Sequence, residues 1–404
     1  MKLMEILKPT FWKVFSVVVV IVGLVSTFLR FSQGLGATTN LHDQVPWGLW
    51  IGFDFIGVGL AAAGFTIAAT VHVFNIHKYE AFVRPAILTA FLSYSVVVCL
   101  LIVDLGRPDH FWHPLVMWNH HSVMFEITWC LICYTTVLLI EFAPVVLEKF
   151  NLHKPIKYLK MISIPVVILG VLFSTLHQSS FGSLYLIVPG KLHPLWYSSL
   201  LPVHFYISCI ASGLAMIIFE SFIIARAFSK EDGFNNTGLK MNLLTGASYV
   251  VLVALIGGFL LKAYDFIANG KLGYLFVAST ETYLFYLEII LGTFIPIALL
   301  SQKKFREDKK WLYLISISVI CGLILNRLNV SITGLVASSG INYFPSFDEI
   351  SITMMLVVLA ISAFRFIAKY FTVFIDEESH SENSEHNEHS EKAEIVNARE
   401  VLNS

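Results

Sequence analysis

The chain has 404 residues, 56% of them hydrophobic and 14% charged, with a net charge of −1 and a mean hydropathy of +0.73. A soluble domain carries about 25% charged residues, so the composition excludes a soluble globular protein, and no nucleic-acid partner is expected. It points to an all-α integral membrane protein, because a helix of roughly 20 apolar residues crosses lipid with its backbone hydrogen bonds satisfied internally.

Ten apolar segments are read in chain order, at about 14–32, 48–75, 85–104, 122–148, 158–177, 200–227, 242–265, 274–301, 311–330 and 348–374, each near the length a spanning helix needs. The first follows Lys2, Lys8 and Lys13, as a signal peptide would, but it has no small-residue cleavage site near its end and reads as an uncleaved helix. The connections are mostly short, so residues 1–375 read as one polytopic membrane domain. Residues 376–404 begin DEESHSENSEHNEHSEKAEIVNARE, a polar, acidic, low-complexity tail expected to be disordered. Its His380, His386 and His389 read as solvated rather than as a metal site.

Five cysteines (Cys99, Cys130, Cys133, Cys209 and Cys321) all lie in apolar segments. Cys130 and Cys133 form a C-x-x-C. Mid-helix cysteines behave as small apolar residues, and no second pair completes a zinc or iron–sulfur set. Gly57, Gly59 and Gly64 in the second segment follow a G-x-G-x-x-x-x-G spacing. No strand precedes them, so they are not a dinucleotide fingerprint; small residues at this spacing let helices approach closely.

Lysine and arginine set the orientation. The N-terminus, the even-numbered connections and the C-terminal end hold 21 of the 27, including Lys149, Lys154, Lys157, Lys160 and the cluster Lys303, Lys304, Arg306, Lys309 and Lys310. The other face holds Arg30, Arg107, Lys191, Lys262, Lys271 and Arg327. Both termini are therefore expected in the cytoplasm, and the odd-numbered connections outside, in the periplasm if the membrane is a bacterial inner (cytoplasmic) membrane.

The polar chemistry gathers on that outer side. DLGRPDHFWHPLVMWNHHSVMFE, from Asp104 to Glu126, holds two aspartates, an arginine, four histidines, two tryptophans and a glutamate. The expected fifth connection, near 178–199, is similarly rich. Ionisable groups in membrane helices are expensive and are functional candidates by default. Asp54, Asp104, Arg107, Glu126, His177 and Gln178 come to similar outer depth on helices two to five, with Asp54 roughly 10 Å in at 1.5 Å per residue. His204, Lys262, Asp265, Glu281 and Arg327 repeat the bias in the second half, and Glu288 lies deeper. Asp54, Glu126, Lys262, Asp265, Glu281 and Glu288 are candidates for a proton path. Such groups also form structural ion pairs, for example Asp104 with Arg107. As a set on one face they suit a quinone, whose ring oxygens need hydrogen-bond donors and a proton route while its tail stays in lipid. His177 with His204 is an alternative axial pair for one haem. No metal site is assigned to the loop histidines.

The stretches PWGLWIGFDFIGVGLAAAGF, VRPAILTAFLSYSVVVCLLIVDLGRP, NHHSVMFEITWCLICYTTVLLIEFAPVVLE, STLHQSSFGSLYLIVPGKLHPLW and NRLNVSITGL together resemble the NrfD/polysulfide reductase membrane-subunit family, across about residues 10–375. The likeness is strongest to its HybB-type, ten-helix branch, which serves periplasmic nickel–iron hydrogenases. The resemblance implies two four-helix bundles, helices 2–5 and 6–9, with flanking helices, and a quinone site (menaquinone or ubiquinone) at the outer side of the first bundle. It implies no haem or iron–sulfur cluster in this chain. It also implies a periplasmic ferredoxin-like iron–sulfur subunit as partner, with hydrogenase large and small subunits beyond it. Trp112, Trp118, Trp196 and Tyr197 would then dock the partner, or form an interfacial aromatic belt in the lipid bilayer. A related subunit of another respiratory oxidoreductase (a polysulfide, nitrite or cytochrome complex), a proton-translocating transporter and a purely structural anchor remain as rival readings.

Overall fold

The computed structural model describes residues 2–188, 190–228, 241–371 and 373. The acidic tail lies outside them. Ten helices among the described residues are long and apolar enough to cross a membrane. They are α1 (Lys2–Gln33), α2 (Leu49–His72), α3 (Val83–Asp104), α4 (Val123–Lys149), α5 (His153–Leu186), α6 (Leu201–Phe228), α7 (Met241–Ala268), α8 (Thr280–Leu300), α9 (Lys309–Ser339) and α10 (Phe347–Tyr370).

Local chemistry starts several of them. Ser122 accepts from the Phe125 amide at the head of α4, Ser279 from Thr282 at α8, and Asp308 from Trp311 at α9. Ser346 and Glu349 form a capping box at α10. Each side chain satisfies an amide that the helix start leaves without a partner.

Helices α2–α5 pack as one four-helix bundle and α6–α9 as another; α1 and α10 pair with each other, α10 resting on α3. The bundles meet where α2 and α5 touch α6, and α2 touches α9. Helix α2 is the hub: 78% of its most apolar stretch is buried inside the protein, against 17% for α1. The glycines singled out in α2 sit at these contacts. A Cβ on Gly57 or Gly64 would come within 2.9 Å of Val97 or Ala90 on α3, and one on Gly59 would meet Leu323 on α9 at 3.0 Å.

Two helices run further than hydropathy indicates. Helix α5 continues past residue 177 to Leu186, and α9 past 330 to Ser339. The added stretches are polar, but they lie against protein rather than lipid. Ser179, Ser180 and Ser183 return their hydroxyls to carbonyls one turn back, while Phe181, Leu184 and Tyr185 are buried. The connection after α5 is thus 187–200. Single π turns interrupt α8 at Ile290–Phe294 and α9 at Asn329–Thr333.

Candidate functional site

Successive crossings place the connections 34–48, 105–122, 187–200, 269–279 and 340–346 on one face. Below it the first bundle converges on buried polar groups. Helix α2 supplies Trp50 and Asp54, 1% and 2% exposed. Asp54 lies five residues into its helix, about 8 Å down at 1.5 Å per residue. Helix α3 supplies Asp104 at its end and Tyr94 about 15 Å below that. Helix α5 supplies His177, about 14 Å from its own end, with Gln178 and Tyr185.

His177 is wholly buried between aromatic rings. Its Nδ1 lies 3.2 Å from the Tyr94 hydroxyl, and its ring centroid 4.6 Å from that of Phe181. When Tyr94 donates to Nδ1, the proton sits on Nε2, which has no partner. Trp50 Nε1, Asp54 Oδ1, Asp104 Oδ1 and the Tyr185 hydroxyl are likewise buried and unpartnered. Buried polar atoms are normally hydrogen-bonded, and an unmade bond costs about 1–3 kcal/mol. With the Tyr134 hydroxyl of α4, six such atoms lie in the first bundle, donors and acceptors together. Gln178 is used differently: its Nε2 donates to the Val58 carbonyl at 2.8 Å and its Oε1 accepts from Cys209 Sγ at 2.8 Å.

The partner of Asp104 is not Arg107. The Arg107 side chain is 72% exposed and donates to Asp109 at 3.2 Å, which holds the Asp109 carboxyl below its usual range. The cation beside Asp104 is Arg30 of α1, 2% exposed, which donates Nε to the Val103 carbonyl at 2.9 Å and Nη2 to the Leu105 carbonyl at 2.6 Å. The lone arginine in the last turn of the first apolar run was the signal for it in the sequence. Glu126 accepts from Ser180 Oγ at 2.7 Å and is itself exposed on the first turn of α4.

The second-bundle residues separate into three groups. Lys262 lies 3.2 Å from Glu288, and both line a cavity of about 110 Å³ with His204, Ser208, Thr293 and Asn326. Asp265 is bound to Lys271 at 2.7 Å and to Ser198 Oγ at 2.7 Å, a clamp that ties α7 to the 187–200 connection. Glu281 stands in the first turn of α8, beside His193. Lys262 and Glu288 therefore share one site, and Asp265 and Glu281 do not line it.

Of the four docking aromatics, Trp112 and Trp118 are exposed, 44% and 57%. Trp196 differs from these: it is 4% exposed and donates Nε1 to Glu288 at 2.8 Å, so its indole anchors the connection inward. Tyr197 is half-buried, its carbonyl accepting from Lys271 at 2.6 Å. Among the described residues no three His, Cys, Asp or Glu side chains converge as a metal site, and Cys130 and Cys133 are both free thiols.

This chain is 37% identical over 372 residues to a protein of Nitratidesulfovibrio vulgaris (strain Hildenborough), covering 90% of this chain and 95% of that one. It is 31% identical to the probable Ni/Fe-hydrogenase 2 b-type cytochrome subunit of Escherichia coli K12, over 83% of this chain and 85% of that protein. It is 25% identical to the menaquinone reductase integral membrane subunit of N. vulgaris, over 88% and 89%. The family model described as polysulphide reductase, NrfD, matches residues 37–339, a range that spans both four-helix bundles, and the chain belongs to that family.

Proposed function

We propose that this protein is the quinone-reactive membrane subunit of a respiratory redox complex, passing electrons between an iron–sulfur subunit docked on the odd-connection face and menaquinone or ubiquinone held in the first bundle. The observation that carries this is the cluster of unpartnered buried atoms on Trp50, Asp54, Asp104, His177 and Tyr185. Two of the relatives support it by name, one as a menaquinone reductase subunit and one as a hydrogenase subunit.

Reducing a quinone takes two electrons and two protons. In this chain the free Nε2 of His177 is placed to donate to one ring oxygen, with Tyr94 fixing its tautomer. Asp54 and Asp104 lie between that depth and the surface and are placed to pass protons, while Arg30 holds the end of α3 beside Asp104. The exposed Trp112, Trp118 and Arg107 lie on the connection that would meet the partner. The E. coli relative is named as a b-type cytochrome. We propose an electron path without a haem, with His177 held by Tyr94 in the first bundle and His204 lining the second-bundle cavity.

Asp54→Leu and His177→Leu test the assignment in the intact complex. Removing a group that moves a proton costs about 10²-fold or more in rate, so donor-to-quinone turnover should fall by that much while the complex still assembles. Normal turnover in both variants would sink it. A proton-translocating transporter is the second reading, favoured by the Lys262–Glu288 pair on its cavity. Purification discriminates: a transporter is isolated alone, an anchor together with iron–sulfur and hydrogenase subunits.

A further inference from the structure

The two bundles share a buried hydrogen-bond chain that the proposed quinone chemistry does not itself use. At its centre is Arg327 on α9, 1% exposed, with its guanidinium 3.6 Å over the Phe205 ring of α6. Nη1 donates to Asn326 Oδ1 at 2.7 Å. Nη2 faces the Ser208 hydroxyl at 2.8 Å, the Phe205 carbonyl at 3.2 Å and Cys209 Sγ at 3.3 Å.

From Arg327 the chain runs both ways. Toward the second bundle, Asn326 Nδ2 donates to Glu288 Oε1 at 2.8 Å, the same oxygen that Lys262 approaches at the cavity. Toward the first bundle, Cys209 Sγ donates to Gln178 Oε1 at 2.8 Å, and Gln178 Nε2 holds the Val58 carbonyl of α2. Gln178 is the neighbour of His177. Glu288 is thus joined to Gln178 through Asn326, Arg327 and Cys209 without a gap.

A guanidinium keeps its proton at any working pH, so this is not a proton wire. What it can transmit is position and charge. Buried hydrogen bonds polarise one another in a low dielectric. Glu288 already accepts from Trp196, Lys262, Asn326 and Asn329, so a change in its charge redistributes those donors. At the other end the Val58 carbonyl, which can only accept, fixes the Gln178 amide nitrogen, and the amide oxygen is thereby turned to accept from the Cys209 thiol, which links it to Arg327.

We propose that Arg327 and Cys209 are positioning residues that couple the Lys262–Glu288 pair at the second-bundle cavity to Gln178 and His177, so that the state of that pair sets the quinone affinity of the first-bundle site. This rests on the quinone reading given above. Lys262–Glu288 then acts as a regulatory input rather than as part of the site itself.

The test is a double-mutant cycle on the intact complex, with a short-tailed menaquinone analogue as probe and KM read apart from kcat. Residues along networks of this kind change coupling by about 2- to 30-fold. Glu288→Gln should change KM by that factor in the wild-type background and by less than about twofold in a Cys209→Ala background. Cys209→Ser, which keeps a hydroxyl donor, should restore the response, whereas a merely structural cysteine would not separate Ser from Ala in this way. Should Cys209→Ala fail to assemble, Arg327→Lys replaces it, keeping the charge and losing the fork. An equal KM shift in both backgrounds, or none in either, overturns the coupling. A wild-type complex that binds no quinone analogue overturns the quinone reading instead, and the link is then read in thermal denaturation. There, non-additivity of Glu288→Gln with Cys209→Ala supports it and additivity overturns it.

Discussion

Asp104 shows how much a single neighbour decides at the residue scale. By sequence spacing its cation is Arg107, three residues on; in the fold it is Arg30, brought from α1 across 74 positions of chain. Arg30 also satisfies two carbonyls at the end of α3, which a helix end leaves without intrahelical partners. His193 carries a residue-scale prediction. It lies on the 187–200 connection, where its Nδ1 accepts from the Leu195 amide at 3.3 Å. Burial lowers its pKa from 6.5, partly opposed by Glu281. A lowered value means that the unfolded chain takes up the proton first, so stability is full above about pH 6.5 and falls as pH drops below it toward the folded value. Melting of the wild type at pH 7.5 and 5.5 should show this loss, and His193→Asn, whose amide oxygen can still accept from Leu195, should show less of it. Equal acid sensitivity in the two proteins would remove His193 as the cause.

At the scale of elements, the extensions of α5 and α9 change where the site lies. His177 is not at a helix end but about two and a half turns inside, level with Tyr94 on α3. The π turn of α8 contains Gly292, which approaches Gly322 of α9: a Cβ on Gly322 would lie 2.1 Å from the Gly292 Cα. Both glycines line the second-bundle cavity. Gly322→Val should therefore force α8 and α9 apart and destabilise the protein by about 1–3 kcal/mol, read as a lower melting temperature in detergent. An unchanged melting temperature would show that the contact yields without cost. Gly257→Val on α7, where a Cβ would meet nothing within 4 Å, is the matched control.

The molecule as a whole is arranged around α2, which touches both bundles, with α1 and α10 set to the side and apolar surface turned outward. This arrangement puts the quinone-binding candidates and the cavity on either side of one interface, which is why a link such as Arg327 can exist. The polar connections share a face, and the charge bias expects that face outside. Single cysteines placed at Trp118 and at Lys310, in a chain whose native thiols are replaced, test this with a membrane-impermeant thiol reagent on intact cells. Trp118→Cys should react and Lys310→Cys should react only after the membrane is opened. The reverse pattern would invert the orientation and move the partner to the cytoplasm.

Ten spanning helices, their order, the small-residue contacts of α2 and the family were all legible in the chain, because each rests on local composition or on motifs contiguous in sequence. Asp54, Asp104, His177, Lys262 and Glu288 were legible as candidates for a related reason: an ionisable group among apolar neighbours stands out wherever it sits. Which of them meet was not legible. The pairing of Arg30 with the end of α3, the inward turn of Trp196 onto Glu288, the withdrawal of Arg107 and the continuation of α5 to Leu186 all depend on side chains that come together only when the helices pack. Hydropathy measures whether a residue tolerates lipid. Once a helix is surrounded by protein, polar residues satisfy one another, and only the tertiary structure decides which do.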